Sequence, residues 1–235
     1  LLHLNINLDW LSAKGLPILG LDISTTAVKL VELSDAGKGM LRVERYVIEP
    51  LPKDAVTDGN IANLDQVADT LRTAWKNMNT RIRNVALALP SSAVITKKIL
   101  APASLSGLDL ENQVEAEANQ VIPFSLDEVN LDFQVLGESP SSPDDVQILL
   151  AAARKEKVED RVAAVEAAGL KALVMDVESF ATQTAYEQIA HQLPNGGDGQ
   201  TVAIIDVGAQ NMHINILNNN ESVYLREHGF GGNQL

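Results

Sequence analysis

One motif occurs twice and constrains the fold more than any other feature. The stretch Leu21-Asp22-Ile23-Ser24-Thr25-Thr26-Ala27-Val28-Lys29-Leu30 is an apolar strand, an Asp, a tight turn of small residues and a second strand. Ile205-Asp206-Val207-Gly208-Ala209-Gln210-Asn211-Met212-His213-Ile214 repeats the scheme. Each copy runs on into a third strand, at 41–48 and at 223–227. A repeat of this kind, at either end of a helix-bearing region, points to two lobes of shared architecture.

The chemistry of the repeat suits a nucleotide. A tight turn of small residues aims successive backbone N–H groups into a concavity that can hold phosphate oxygens. Ser24, Thr25 and Thr26 add hydroxyl donors, and Lys29 adds a point charge. Gly208, Ala209, Gln210 and Asn211 form the second turn. An Asp ending a buried strand can hold magnesium, often through water, so Asp22 and Asp206 facing each other would bracket one Mg-triphosphate. The plain alternative is a pair of ordinary hairpins with Asp near the turn.

The rest of the chain reads as mixed α/β. The spacing predicts strands at 18–23, 27–33 and 40–49, a helix over 61–78 and a strand at 84–89. A compact unit follows, β-α-β-β-α: a strand at 94–100, a helix over 106–121 stopped at Ile122-Pro123, and strands at 129–136 and 146–153. A Ser/Pro/Asp-rich loop at 137–145 separates those two strands, and an Ala-rich helix over 155–168, closed by Gly169, ends the unit. A strand at 174–177, a helix over 179–192, a linker at 193–200 and three strands complete the chain. Within residues 1–16, Leu2, Leu4, Ile6, Leu8 and Trp10 alternate strictly with His3, Asn5, Asn7 and Asp9, the period of a half-buried strand. Arg154 to Lys157, Arg81 and Arg83 read as solvated surface, and Trp75 as core.

Composition removes several function classes. The net charge of −13 argues against a general nucleic-acid binder. The chain has no cysteine, hence no disulfide, thiol catalysis or thiolate metal site. Its four histidines lack metal-ligand spacing. Neither a signal peptide nor an apolar run of membrane-spanning length is evident, so a soluble cytoplasmic chain is expected.

Together these residues resemble the actin, sugar-kinase and heat-shock ATPase superfamily, and within it FtsA and, more closely, the PilM family of type IV pilus assembly proteins. The resemblance covers about residues 17–235. It rests on Leu19-Gly20-Leu21-Asp22-Ile23-Ser24-Thr25-Thr26-Ala27-Val28-Lys29-Leu30, Ala93-Val94-Ile95-Thr96-Lys97, Glu115-Ala116-Glu117-Ala118-Asn119-Gln120-Val121-Ile122-Pro123-Phe124, Leu131-Asp132-Phe133-Gln134-Val135-Leu136-Gly137 and Phe230-Gly231-Gly232-Asn233-Gln234-Leu235.

The resemblance implies an actin-like (ribonuclease H-like) first lobe, subdomain 1A at 17–92 and 172–199. It implies an SHS2-like 1C insert at 93–171 and the start of a second lobe at 200–235. It implies ATP and Mg2+ as ligands, with 22–29 and 206–211 as the phosphate loops and Asp176 and Glu178 on a segment lining the cleft. It assigns no catalytic residue, and weak ATPase activity at most. The implied partner is the cytoplasmic N-terminal peptide of PilN, lying between 1A and 1C against Val121, Ile122, Pro123, Phe124, Leu126 and Val129. Through PilN come PilO, the inner-membrane pilus platform and a peripheral place at that membrane; self-association is also compatible. Those six apolar residues read equally well as 1C core. Ile6-Asn7-Leu8-Asp9-Trp10 is similar to the PilN peptide's Ile-Asn-Leu core, so residues 1–11 are a candidate for occupying such a groove.

Two departures temper these expectations. The second turn lacks the Thr common in the superfamily, and the Gly-Gly adenosine loop and covering helix of the second lobe are missing. A partial second lobe with an exposed sheet face and weak nucleotide binding is therefore expected. Alternatives on the same fold are an FtsA-like polymerising division protein and an ATPase or small-molecule kinase.

Overall fold

The computed structural model describes residues 16–234. The alternating segment with Ile6, Asn7, Leu8 and Trp10 lies outside them. Three strands open the described chain: β1 (Leu19–Ile23), β2 (Ala27–Gly37) and β3 (Met40–Pro50), paired antiparallel in sequence order. A small hairpin follows, β4 (Val56–Thr57) and β5 (Asn60–Ile61), turned by Asp58 and Gly59, both at positive φ. Asp-Gly is favoured there because both central residues of this turn need the left-handed region. Helix α1 (Leu64–Met78) then begins after Asn63, whose side chain accepts from the Gln66 N–H at 3.1 Å. It starts later than the apolar spacing predicts because Ile61 belongs to β5, and Asn63 supplies the cap. Strand β6 (Asn84–Leu89) pairs parallel with β1, and β10 (Lys171–Val177) pairs parallel with β6, giving the sheet order β10-β6-β1-β2-β3.

The core of this sheet is Leu19, Leu21, Ile23, Val28, Leu30, Val85, Leu87 and Leu89, closed by Val67, Leu71 and Ala74 of α1. Trp75 packs at its edge, donating Nε1–H to the Ile82 carbonyl at 2.7 Å. Arg83 is not simply solvated. Its guanidinium lies 4.4 Å from the Trp75 ring centroid and donates to the Gly169 carbonyl at 2.8 Å.

The second unit is a sheet ordered β7-β9-β8, from β7 (Val94–Pro102), β8 (Val129–Ser139) and β9 (Ser142–Arg154). Helix α2 (Leu108–Val121) covers one face, with Val114, Ala118 and Ile122 against Ala101, Ile148, Leu150 and Ala152. Ala151 on the other face meets Val177 and Phe180. The polar stretch at 137–145 is not a loop: β8 and β9 extend through it and turn at Pro140-Ser141. Its composition reflects exposure on an outlying hairpin, which polar residues tolerate as well as loops do.

Helix α3 (Lys155–Ala167), expected to close the insert, puts Val158, Ala164 and Val165 into the core of the first sheet and packs against α1. It is the covalent continuation of β9, so one element bridges the two sheets.

Helix α4 (Glu178–Ala190) follows β10, and a short 3₁₀ turn at Pro194–Gly197 leads to β11 (Thr201–Val207), β12 (Met212–Asn218) and β13 (Glu221–His228), an antiparallel meander. Tyr186 and Ala190 of α4 pack on Leu217, Val202 and Ile204. The opposite face carries exposed Ile205, Val207 and Tyr224, as expected for a sheet covered on one side. No helix among the described residues is long and apolar enough to cross a membrane.

Candidate functional site

The two repeated hairpins are built alike. In the first, Asp22 pairs with Lys29 and Ile23 with Val28; in the second, Asp206 pairs with His213 and Val207 with Met212. The turns close through the same bond: Ser24 N–H donates to the Ala27 carbonyl at 3.0 Å, and Gly208 N–H to the Asn211 carbonyl at 2.9 Å. The intervening amides of Thr25 and Thr26, and of Ala209 and Gln210, make no hydrogen bond among the described residues. Both turns therefore present a matched pair of backbone donors.

The hairpins face one cleft of about 690 Å³, and Asp22, Ser24, Thr25, Thr26, Lys29, Asp206, Gly208, Ala209, Gln210, Asn211 and Glu178 all line it. That volume falls in the range of small-molecule sites. Within it Lys29 Nζ lies 2.7 Å from Asp22 Oδ2. The Ser24 hydroxyl is spent on its own turn, donating to the Ala27 carbonyl at 2.9 Å. Asn211 Nδ2 donates to Glu227 Oε1, tying the second turn to β13. His213 Nε2 lies 3.9 Å from the same oxygen.

The C-terminal stretch braces the second turn. Gly232 N–H donates to the Gly208 carbonyl and Asn233 N–H to the Ala209 carbonyl, both at 2.9 Å. Gly231 lies so close that a Cβ there would meet the Ala209 backbone at 2.5 Å.

Helix α4 forms the wall between the lobes. Ser179 is buried, its N–H donates to Ser91 Oγ at 3.1 Å, and its own hydroxyl has no partner among the described residues. Burial raises the Glu178 carboxyl above its ordinary range; the nearby Arg161 charge opposes this, Asp22 adds to it, His213 opposes it and Glu227 adds to it. Asp176, grouped with Glu178 in the sequence, does not line the cleft. Its carboxyl is raised by burial, offset by the Val177 N–H that donates to Oδ1 at 2.7 Å.

Of the expected peptide wall, Ile122 and Val129 are buried, and Val121 and Leu126 pack onto the small-sheet core. The chain after α2 folds back to start β8, so Val121, Ile122 and Leu126 close that core. Pro123 and Phe124 remain exposed; Phe124 is 38% accessible, with the Arg154 guanidinium 5.7 Å from its ring centroid. Residues not singled out in the sequence also line the cleft, chiefly Arg161, Asn215 and Glu227. Arg161 carried one signal: it shares a helix face with Val158, Ala164 and Val165.

No group of three or more metal-ligating side chains occurs among the described residues. The site nevertheless fits Mg-ATP by its donor set: two amide turns, Lys29, and one Asp from each hairpin. Magnesium held largely by phosphate oxygens and water needs only one or two carboxylates.

Comparison with known proteins places this geometry. The chain is similar to a solved PilM-PilN type IV pilus biogenesis complex, with 29% identity and a TM-score of 0.78 over 93% of this chain. It spans 63% of the length of that relative. The cytoplasmic domain of Epsl, an inner-membrane component of the type II secretion system of Vibrio cholerae, is similar in fold at 10% identity and a TM-score of 0.52, over 91% of this chain and 71% of that one. A looser likeness, 13% identity and a TM-score of 0.48 over 92% of this chain and 53% of the other, is to ethanolamine utilization protein EutJ from Carboxydothermus hydrogenoformans. The fold is actin-like, the class to which the first of these relatives belongs. The family described as type IV pilus assembly protein PilM matches residues 20–235, and the chain belongs to that family.

Proposed function

We propose that the chain is the nucleotide-binding and partner-docking part of a type IV pilus assembly scaffold. Mg-ATP binds in the cleft, and the N-terminal cytoplasmic peptide of PilN docks between the first lobe and the small sheet. The observation that carries this reading is the equal register of the two hairpins on one cleft. Bound Mg-ATP supplies the negative charge that the two turns are built to receive. Thr25, Thr26, Ala209 and Gln210 offer amide donors to phosphate oxygens, and Lys29 exchanges its pairing with Asp22 for phosphate. Asp22 and Asp206 hold water-bound magnesium. Glu178 stands at the cleft wall, where burial raises its carboxyl above the ordinary range.

For PilN, the family relative is itself a PilM-PilN complex. Exposed Pro123 and Phe124 supply an apolar contact for an extended peptide, which gains main-chain hydrogen bonds while pockets read alternate side chains. Membrane association then comes through the partner. Calorimetric titration of a synthetic PilN N-terminal peptide tests this reading. Binding at about micromolar strength, roughly −8 kcal/mol, that is lost in Phe124→Ala supports it. Saturation unaffected by Phe124→Ala places the peptide elsewhere, and no binding removes the docking role from this chain.

A further inference from the structure

The cleft wall holds a buried cation that phosphate binding by the two turns does not use. Arg161 is 3% accessible. Its Nη1 donates to the Ile23 carbonyl at 3.4 Å and its Nη2 to the Gly59 carbonyl at 3.1 Å. The Ile23 carbonyl belongs to the peptide whose N–H, on Ser24, closes the first turn onto Ala27. One peptide plane is therefore gripped at both ends, by a guanidinium and by the turn. Gly59, at positive φ in the β4–β5 turn, is the second anchor.

Burying a guanidinium is costly unless it is hydrogen-bonded and compensated. Here burial lowers its proton affinity, and the charges of Glu178 and Asp22 oppose that. Its neighbours on the same helix face, Val158, Ala164 and Val165, are apolar, and core packing alone has no use for a cation at that point. The second turn is braced by backbone instead, one peptide further on, with the Gly208 carbonyl accepting from Gly232 N–H.

We infer that Arg161 is the positioning residue of the first turn: its fork fixes the Ile23–Ser24 peptide so that Thr25 and Thr26 are offered to the cleft, and it ties that turn to α3 and so to β9. This inference rests on the nucleotide reading of the cleft for its functional consequence, but its structural half is testable without nucleotide.

Arg161→Gln and Arg161→Lys in the whole chain are compared by hydrogen exchange without ligand and by calorimetry with Mg-ATP. Arg161→Gln is expected to speed exchange at the bonded amides of Ile23, Ser24 and Ala27 and at 60–61 by about tenfold while leaving β12 and β13 protected, and to weaken Mg-ATP by about tenfold. Arg161→Lys keeps the charge but cannot span both carbonyls, so it should fall between. If the unaltered chain binds no Mg-ATP, the nucleotide reading fails, and the exchange result alone decides the role of Arg161. Unchanged exchange at the turn, or faster exchange spread evenly over the chain, overturns the inference. Should Arg161→Gln not fold, wild-type exchange and affinity in Arg161→Lys overturn it.

Discussion

Asp176 and Glu178 are two residues apart and both held above the ordinary carboxylate range by burial, yet only Glu178 lines the cleft. Asp176 is therefore a stability residue whose sign can be worked out. Its folded form binds its proton more tightly than the unfolded chain does, so its contribution falls as pH rises from 3.8 through the raised folded value. Asp176→Asn keeps an oxygen for the Val177 N–H and removes the buried charge. Thermal melts should show the variant more stable than the parent at pH 7, with the difference vanishing below pH 3.8. A lower melting temperature at pH 7 would show that the carboxylate has an ionic partner. Gly231 is the other informative residue. Gly231→Ala puts a Cβ into the Ala209 backbone. It should destabilise by about 1–3 kcal/mol in urea titrations and move the second turn.

Among the elements, α4 decides how the lobes meet. The β12–β13 turn, Asn219-Asn220, has both residues at positive φ. Asn220 Oδ1 accepts from the Tyr186 hydroxyl at 2.9 Å, and its carbonyl accepts from Gln183 at 3.2 Å. Asn220 Nδ2 donates to the Gly196 carbonyl at 3.1 Å. Asn220→Ala loses two of these bonds and strains the turn, for an expected loss of about 2–3 kcal/mol; Tyr186→Phe should cost about 1 kcal/mol. Equilibrium unfolding checks both, and neither should alter α1, whose Asn63 cap is independent. Elements of this kind divide into those legible in sequence and those that were not. The two phosphate-type hairpins were legible because Asp, turn and register are local. Asp58-Gly59 was equally local and marks a hairpin whose last residue, Ile61, apolar spacing assigned to the start of α1. Arg161 was not legible as a site residue, because it reaches the cleft only once α3 docks on the first sheet. At Val121, Ile122, Leu126 and Val129 apolar character alone does not tell a groove from the core beneath it: Ile122 and Val129 are buried, while Val121 and Leu126 are half-buried.

At the scale of the whole molecule, two sheets of related design face one cleft, and a smaller sheet hangs from the first through α3. That arrangement lets a ligand bridging the turns touch both lobes. The most direct measurement is calorimetric titration of Mg-ATP into the chain and into Asp22→Asn, Asp206→Asn and the double variant. The expected result is binding that weakens about tenfold with either substitution, with the double variant losing less than the sum, since both carboxylates serve one ion. Binding untouched by both substitutions, or dependent on one hairpin alone, would contradict a nucleotide site built from the paired turns.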